Sequence, residues 1–196
     1  MAPVWKKLGA LVVIAVLLGG ALFGLLYRPF PSDKTPEGAY MRISRAIMEE
    51  RARDAFPYLE TDAQWACFTI GDLRKKALDR VRGSYPDSEK PQLVRAYEPF
   101  AVAPDGADVF ARMAKERGFI ARMRRDLSGV VRVEVEGERA SVVTARGTRY
   151  AFRKRENGIW GLTMFTAELE AEASRAARDL SVVNEAADDF DRAKNR

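Results

Sequence analysis

The side chains best suited to contact a small molecule lie in the last third of the chain, at positions of one parity. Alternate residues of a β-strand point to the same face of a sheet, so these aromatic and hydroxyl groups are expected to share one face. Their rings could form the apolar wall of a ligand cavity, with hydroxyls that bind a polar group. The other interpretation, which we favour, is a core position for each. The candidate ligand-binding residues are Thr144, Tyr150, Phe152 and Trp160.

A cluster of four basic side chains alternates with these residues or caps the turn that follows: Arg149, Arg153, Lys154 and Arg155. On the opposite face of the sheet they would meet acidic side chains of neighbouring strands, among them Glu134. Opposite charges on adjacent strands stabilise a sheet, and we favour this interpretation. The alternative is a contact surface for anionic lipid headgroups or an acidic partner.

The composition disfavours catalysis and metal binding. The chain has no histidine and a single cysteine, Cys67, which is expected to be a small buried side chain in an apolar helical pattern. Metal sites favour clusters of His and Cys, and acid–base catalysis needs a positioned carboxylate or imidazole. No carboxylate falls on the strand face that carries Tyr150, and no glycine-rich phosphate loop is present. We therefore predict no enzyme activity, no metal and no cofactor.

Residues 8–27 form an apolar run without a charged side chain. A helix needs about 20 such residues to cross the hydrocarbon core of a membrane. Lys6 and Lys7 precede the run and Arg28 alone follows closely, so the positive-inside rule keeps the N-terminus in the cytoplasm and exports the rest. A cleaved signal peptide is the alternative, but its apolar region is shorter. The sequence predicts a retained anchor over 1–28 and a tether over 29–34.

The net charge of +5 does not indicate a nucleic-acid partner. The first 28 residues hold three of the 33 basic side chains and none of the 28 acidic ones, so the rest of the chain is nearly neutral. Nucleic-acid binders carry a strongly basic face instead. Short basic runs in the helical region, such as the one that begins at Arg74, are expected on solvated helix faces.

One α+β domain is expected over 35–164. Thr35, Pro36 and Glu37 have the residue types of a helix start, with an N-cap hydroxyl, a proline and an acid in the first turn. Apolar residues at helical spacing predict a helical block from there to about residue 127. The period then changes to two, which predicts a four-stranded antiparallel meander curved over the helices, with one apolar and one charged face. The inner face is expected to include Val131, Val133 and Val135.

Residues 165–196 are predicted to form one long helix. Its apolar side chains are spaced alternately four and three positions apart, the heptad pattern of a helix that packs along another. We favour packing on the domain's own helices, and self-association or a partner helix is the alternative. The heptad seam consists of Leu169, Ala173, Ala176, Leu180, Val183, Ala187 and Phe190.

Helices followed by this meander resemble the nuclear transport factor two-like, or SnoaL-like, superfamily of cone-shaped α+β domains. The resemblance rests on TPEGAYMRISRAIMEERARDAFPYL, which is similar to the first helix pair of that superfamily, and on VEVEGERASV and FRKRENGIWGL in the meander. The superfamily includes enzymes, ligand binders and scaffolding modules. Several bacterial members are periplasmic domains behind one membrane helix. The resemblance therefore implies a bacterial inner-membrane protein with a periplasmic cone-like domain.

These observations predict a non-catalytic interaction or scaffolding module of the cell envelope, anchored in the inner membrane, with an envelope protein as partner. The alternative is a periplasmic binder of a small apolar ligand in the cone. An enzyme of unknown type is the third hypothesis. The cone interior separates the first two. A filled core favours interaction, whereas an open apolar cavity favours ligand binding.

Topology can be tested directly from the lysine asymmetry. A reporter enzyme that is active only outside the cytoplasm, fused after Arg196, is expected to be active, because Lys6 and Lys7 hold the N-terminus inside. The protein should remain with the membrane fraction after carbonate washing. Release of a shortened soluble form would instead indicate a cleaved signal peptide.

Overall fold

The structure, a computed structural model, describes residues 30–195; the predicted anchor, with Lys6 and Lys7, lies outside them. From Ser32 onward the chain forms one compact unit of the α+β class. No helix in the described part is both long and apolar enough to cross a membrane. The helices are α1 Pro36–Met48, α2 Ala52–Ala55, a short 3₁₀ helix Phe56–Tyr58, α3 Thr61–Ser84, α4 Lys90–Ala101, α5 Gly106–Glu116, α6 Phe119–Asp126 and α7 Thr166–Lys194.

The four strands form one antiparallel sheet in which neighbours in sequence are neighbours in space. The predicted meander and the long C-terminal helix are thus confirmed. Gly137 and Gly158 turn the chain with φ of 59° and 81°, a left-handed conformation that glycine adopts without steric cost. The strands are β1 Val130–Glu136, β2 Arg139–Thr144, β3 Arg149–Lys154 and β4 Trp160–Leu162.

The helical block begins where the sequence predicts. The side-chain oxygen of Thr35 accepts a hydrogen bond from the backbone N–H of Gly38 at 3.1 Å, and Pro36 occupies the first position of α1. This cap satisfies one of the N–H groups that a helix start leaves without an intrahelical partner. Cys67 is fully buried in α3, as expected, and burial raises the pKa of its thiol to about 12.

An irregularity in β1 makes part of the predicted inner face wrong. The pairing with β2 shifts between Val130 and Arg132, so Val131 is an extra residue in a β-bulge. Its side chain is 68% exposed. Val135 pairs with the buried Ala140 and so lies on the predicted side of the sheet, but it is next to the following turn and 58% exposed. Val133 alone of the three predicted valines packs against the core.

The main core joins the inner face of the sheet to α1, α3, α5 and α6. A group of phenylalanine rings lies within it. Phe119 and Phe165 stack with ring centroids 4.6 Å apart, and Phe110 contacts them at 6.4 Å and 5.9 Å. Burying one such side chain contributes roughly 1.5–3 kcal/mol, so these rings tie α5 and α6 to the start of α7.

The predicted heptad seam of α7 lies against the domain's own α3. Leu169, Ala176, Val183 and Ala187 are buried, and a second apolar cluster joins the C-terminal halves of both helices to α4. The seam is rich in alanine, which lets two helix backbones approach closely but buries little apolar area.

A buried ion pair crosses the interface between α3 and α7. Arg74, expected on a solvated face, is buried and donates to Glu172 at 3.0 Å and to Asp179. Arg117, which follows α5, donates to the second oxygen of Glu172 at 2.8 Å. The guanidinium of Arg74 also lies 5.2 Å from the ring centroid of Tyr97 in α4. Residues of three helices and the α5 C-cap therefore meet at one charge network.

The outer edge of β4 is covered by the segment that precedes α3. Leu59 forms a parallel bridge with Leu162, and the backbone N–H of Glu60 donates to the carbonyl of Leu162 at 3.2 Å. At Gly161 a Cβ atom would lie 2.4 Å from the Cα of Glu60 and 2.8 Å from the carbonyl carbon of Leu59. Only glycine fits there without displacement of backbone.

Substitution of this glycine tests the packing of Leu59 and Glu60 on β4. Gly161→Ala is expected to lower the free energy of unfolding by about 3 kcal/mol, the upper end of the range for overpacking, because backbone must move. Gly83→Ala in α3 is the matched control, since nothing lies within 4 Å of the added Cβ, and it should stabilise the helix slightly. Equal denaturant midpoints for the two variants would contradict the placement of Glu60.

Candidate interaction surface

The four predicted ligand-binding residues lie in the interior of the domain. The side chains of Thr144, Tyr150, Phe152 and Trp160 are at most 4% exposed. The three aromatic residues belong to the main core. Of the four residues, only Phe152 borders any of the surface grooves described below. The rings therefore fill space between sheet and helices.

Most polar atoms of these residues bind elsewhere in the chain. The ring N–H of Trp160 donates to the carbonyl of Lys34 at 3.2 Å, and its backbone N–H donates to the carbonyl of Asp33 at 3.4 Å. The hydroxyl of Thr144 donates to a carbonyl four residues on, at 3.4 Å. The hydroxyl of Tyr150 has no partner among the described residues, and burial raises its pKa to about 12.

Two members of the predicted basic surface, Arg149 and Arg155, form hydrogen bonds with neighbouring groups of the domain. Arg149 donates to Glu134 at 2.7 Å, which is the cross-strand pairing expected, and this hydrogen bond lowers the pKa of the Glu134 carboxyl. Arg155 donates to the carbonyl of Pro57 at 2.7 Å and to the side chain of Gln64 at 3.1 Å. Arg149 therefore links β3 to β1, and Arg155 links the turn after β3 to the 3₁₀ helix and α3. Lys154 is exposed.

Arg153 has a different environment, because it faces a buried acid. One of its nitrogens lies 3.4 Å from a carboxylate oxygen of Glu60 and 3.4 Å from one of Asp62. Glu60 is only 4% exposed, and its other oxygen accepts a hydrogen bond from the hydroxyl of Thr166. The oxygen nearest to Arg153 is buried and has no hydrogen bond of normal geometry among the described residues. Sequence reasoning missed Glu60, since only the contact with β4 buries it.

Two grooves meet at Glu60 and Arg153. The larger, here called the sheet groove, has a volume of about 710 Å³ and lies over the paired residues Ser141 and Ala151 of β2 and β3. The smaller, the hairpin groove, has a volume of about 500 Å³ and lies between the start of α3 and the turn after β3. Carboxylates and guanidinium groups line both, so the surface carries charges of both signs.

Trp65 forms one wall of the hairpin groove and is the most prominent side chain of this surface. It is 65% exposed, and Phe68, one helical turn further along α3, is 45% exposed. Their ring centroids lie 6.0 Å apart. Sequence reasoning did not predict an exposed aromatic pair, because residues 65–68 are all apolar and only the three-dimensional fold shows which of them face solvent.

Comparisons with protein-family models, with curated proteins and with solved structures find no match for this chain. The resemblance to the cone-shaped superfamily therefore rests on the sequence motifs and on the α+β order of elements.

The polar groups of this surface are carboxylates and guanidinium groups that lie close to one another. The described residues contain no group of three His, Cys, Asp or Glu side chains that could hold a metal ion. Glu60, the one buried carboxylate beside the grooves, is engaged by Thr166 and faces a guanidinium. Exposed tryptophan and phenylalanine beside an arginine are residue types enriched at protein interfaces.

A pair of tyrosine substitutions tests whether the buried hydroxyl of Tyr150 lacks a hydrogen-bond partner. Tyr150→Phe should leave the free energy of unfolding at pH 7 unchanged or higher, because it removes a buried hydroxyl without a partner. Tyr40→Phe is the matched control: the hydroxyl of Tyr40 donates to the carbonyl of Ser128 at 2.9 Å, so its loss should cost about 1 kcal/mol.

The same variant has a signature at alkaline pH. In the unfolded chain Tyr150 ionises near its ordinary pKa of 10.0, whereas in the folded chain it ionises at about 12. The wild type therefore loses stability across this interval, and Tyr150→Phe should lose less. Denaturant titrations at several pH values measure both effects. A clear destabilisation of Tyr150→Phe at pH 7 would show that the hydroxyl has a partner.

Proposed function

We propose that this protein is a non-catalytic interaction module, held at the bacterial inner membrane by residues 1–28, whose exported domain binds an envelope protein. The surface that binds the partner is the Trp65 patch, defined as Trp65, Phe68 and the hairpin groove beside them. The domain is also proposed to belong to the nuclear transport factor two-like superfamily. Its helices, which precede a four-stranded meander, support this assignment.

The filled interior carries this proposal. In a binder of a small apolar ligand, Tyr150 and Trp160 would line an open cavity, but both are buried among core side chains. Ligand sites bury most of a small molecule in a concave apolar space. The sheet groove and the hairpin groove are instead open and bordered by charged groups.

The exposure of Trp65 supplies the second support. Tryptophan is among the side chains that contribute most to protein interfaces, where neighbouring polar groups exclude water around it. Here Phe68 extends the apolar area, and Arg153 and Asp62 lie on the border of the same groove. An aromatic anchor with a charged rim is the arrangement expected of a protein-docking surface.

Truncation of the tryptophan tests the proposal. Trp65→Ala should change the free energy of unfolding by less than about 0.5 kcal/mol, as expected for an exposed position. It should nevertheless weaken binding of the partner by roughly 30-fold or more, the effect of losing an interface anchor of about 2 kcal/mol. The measurement is quantitative co-purification of the full chain from crosslinked membranes of the source organism.

Val182→Ala is the matched control, because Val182 lies on α7 and is 66% exposed, as much as Trp65. This variant should recover the partner at the wild-type level. Equal recovery with Trp65→Ala would show that the Trp65 patch is not the docking surface. A small apolar molecule bound stoichiometrically to the purified protein, seen by native mass spectrometry, would favour the ligand-binding alternative instead.

A further inference from the structure

β1 is an open edge of the sheet that carries exposed apolar side chains. It pairs with β2 on one side, and no described strand lies on its other side. An edge of this kind presents backbone N–H and C=O groups as a template for another strand. Val131 and Val135, both mostly exposed, lie along it. A strand added here would cover valine surface and satisfy backbone groups together.

The sequence of β1 is complementary to itself when two copies run antiparallel about a two-fold axis at Val133. Residues equidistant from the axis then face each other. Arg132 of one copy lies opposite Glu134 of the second, twice, and Val133 lies opposite Val133, whereas the bulge takes Val131 out of this alternation. Opposite charges and pairs of β-branched residues are favourable cross-strand neighbours.

The neighbouring registers are less favourable. An axis at Arg132 places Arg132 opposite Arg132, and an axis at Glu134 pairs Arg132 with Glu136 but places Glu134 opposite Glu134 at its centre. Like charges directly opposite each other destabilise a sheet. Among the three central residues of the strand, only Val133 is uncharged and can face its own copy without repulsion.

A bulge and charged side chains discourage pairing of β1 with other strands, but neither blocks the register centred on Val133. The bulge at Val131 lies outside the three central pairs. Arg132 Nε lies 2.7 Å from Glu134 Oε1 within one strand, and Glu134 also accepts from Arg149, so the carboxylate keeps a basic neighbour when Arg132 turns to the second copy. Charged edge residues discourage arbitrary strands, but here they select a strand of the same sequence.

We propose that this protein self-associates through β1, with the sheets of two copies joined into one continuous antiparallel sheet and Val133 on the two-fold axis. The occupant of the open edge is a second copy of the same strand. This dimer is independent of the interaction proposed at the Trp65 patch, which lies on α3, so either proposal can fail alone.

Cysteine crosslinking of the full chain in detergent micelles and in membranes tests the register. Val133→Cys places two thiols across the axis, where Cβ atoms of facing residues are about 4.5–5.5 Å apart and close enough to approach disulfide geometry. Mild oxidation should convert most of this variant into a covalent dimer. The wild type sets the background, because Cys67 is buried. Val182→Cys, an exposed valine on α7, is the control and should stay at background.

A charge exchange tests the pairing of Arg132 with Glu134. In the Val133→Cys background, Arg132→Glu or Glu134→Arg alone creates two like-charge pairs and should reduce dimer formation about tenfold. An equal mixture of the two variants, distinguished by different tags, restores opposite charges at both pairs. Crosslinking between the two tags should return to the level of Val133→Cys alone.

The outcomes separate the alternatives. Recovery in the mixture supports the register, since a merely structural defect of either chain would persist there. A Val133→Cys chain that remains uncrosslinked, or that is no more crosslinked than Val182→Cys, would overturn the proposal. So would capture of a different protein at position 133 in place of a second copy.

Discussion

The buried ion pair between Arg74 and Glu172 sets the alignment of α3 and α7, on which the rest of the domain depends. Charges removed from water are costly unless paired, and the loss of one partner leaves the other uncompensated. A shift of α7 by one turn would take Glu172 away from both Arg74 and Arg117. The alanine-rich seam would by itself tolerate more than one alignment, so the charges specify it. That alignment brings Phe165 into the ring stack of the main core.

The parts of the fold that the sequence predicts correctly are those whose energetics lie in a few consecutive residues. The N-cap at Thr35 and the glycine turn at Gly158 are local preferences, and the heptad spacing of α7 shows which face must be covered. The bulge at Val131 was missed because it depends on how β1 aligns with β2. The burial of Arg74 was missed because its acidic partner lies 98 residues away in the chain.

In the candidate site too, the sequence predicts what consecutive residues determine and misses what tertiary contacts determine. Strand alternation correctly placed Tyr150 and Trp160 on the inner face, but it could not show whether that face borders a cavity. The answer depends on volume supplied by other elements, such as Phe110 of α5 and Phe119 of α6. The burial of Glu60 likewise arises from a tertiary bridge. The charged grooves and the exposed tryptophan lie on the outer surface, where the sequence did not predict them.

The hydrogen bonds of Trp160 to Lys34 and Asp33 have a mechanical consequence. They fasten the residues just before α1 to the last strand of the sheet, through both the ring and the backbone of a single residue. Tension applied along the chain from its N-terminal side is therefore transmitted to the β3–β4 hairpin before it reaches α1. Because Leu59 and Glu60 are bonded to the same hairpin, the force spreads into the start of α3 as well. Under such tension the sheet and the start of α3 share the load with α1.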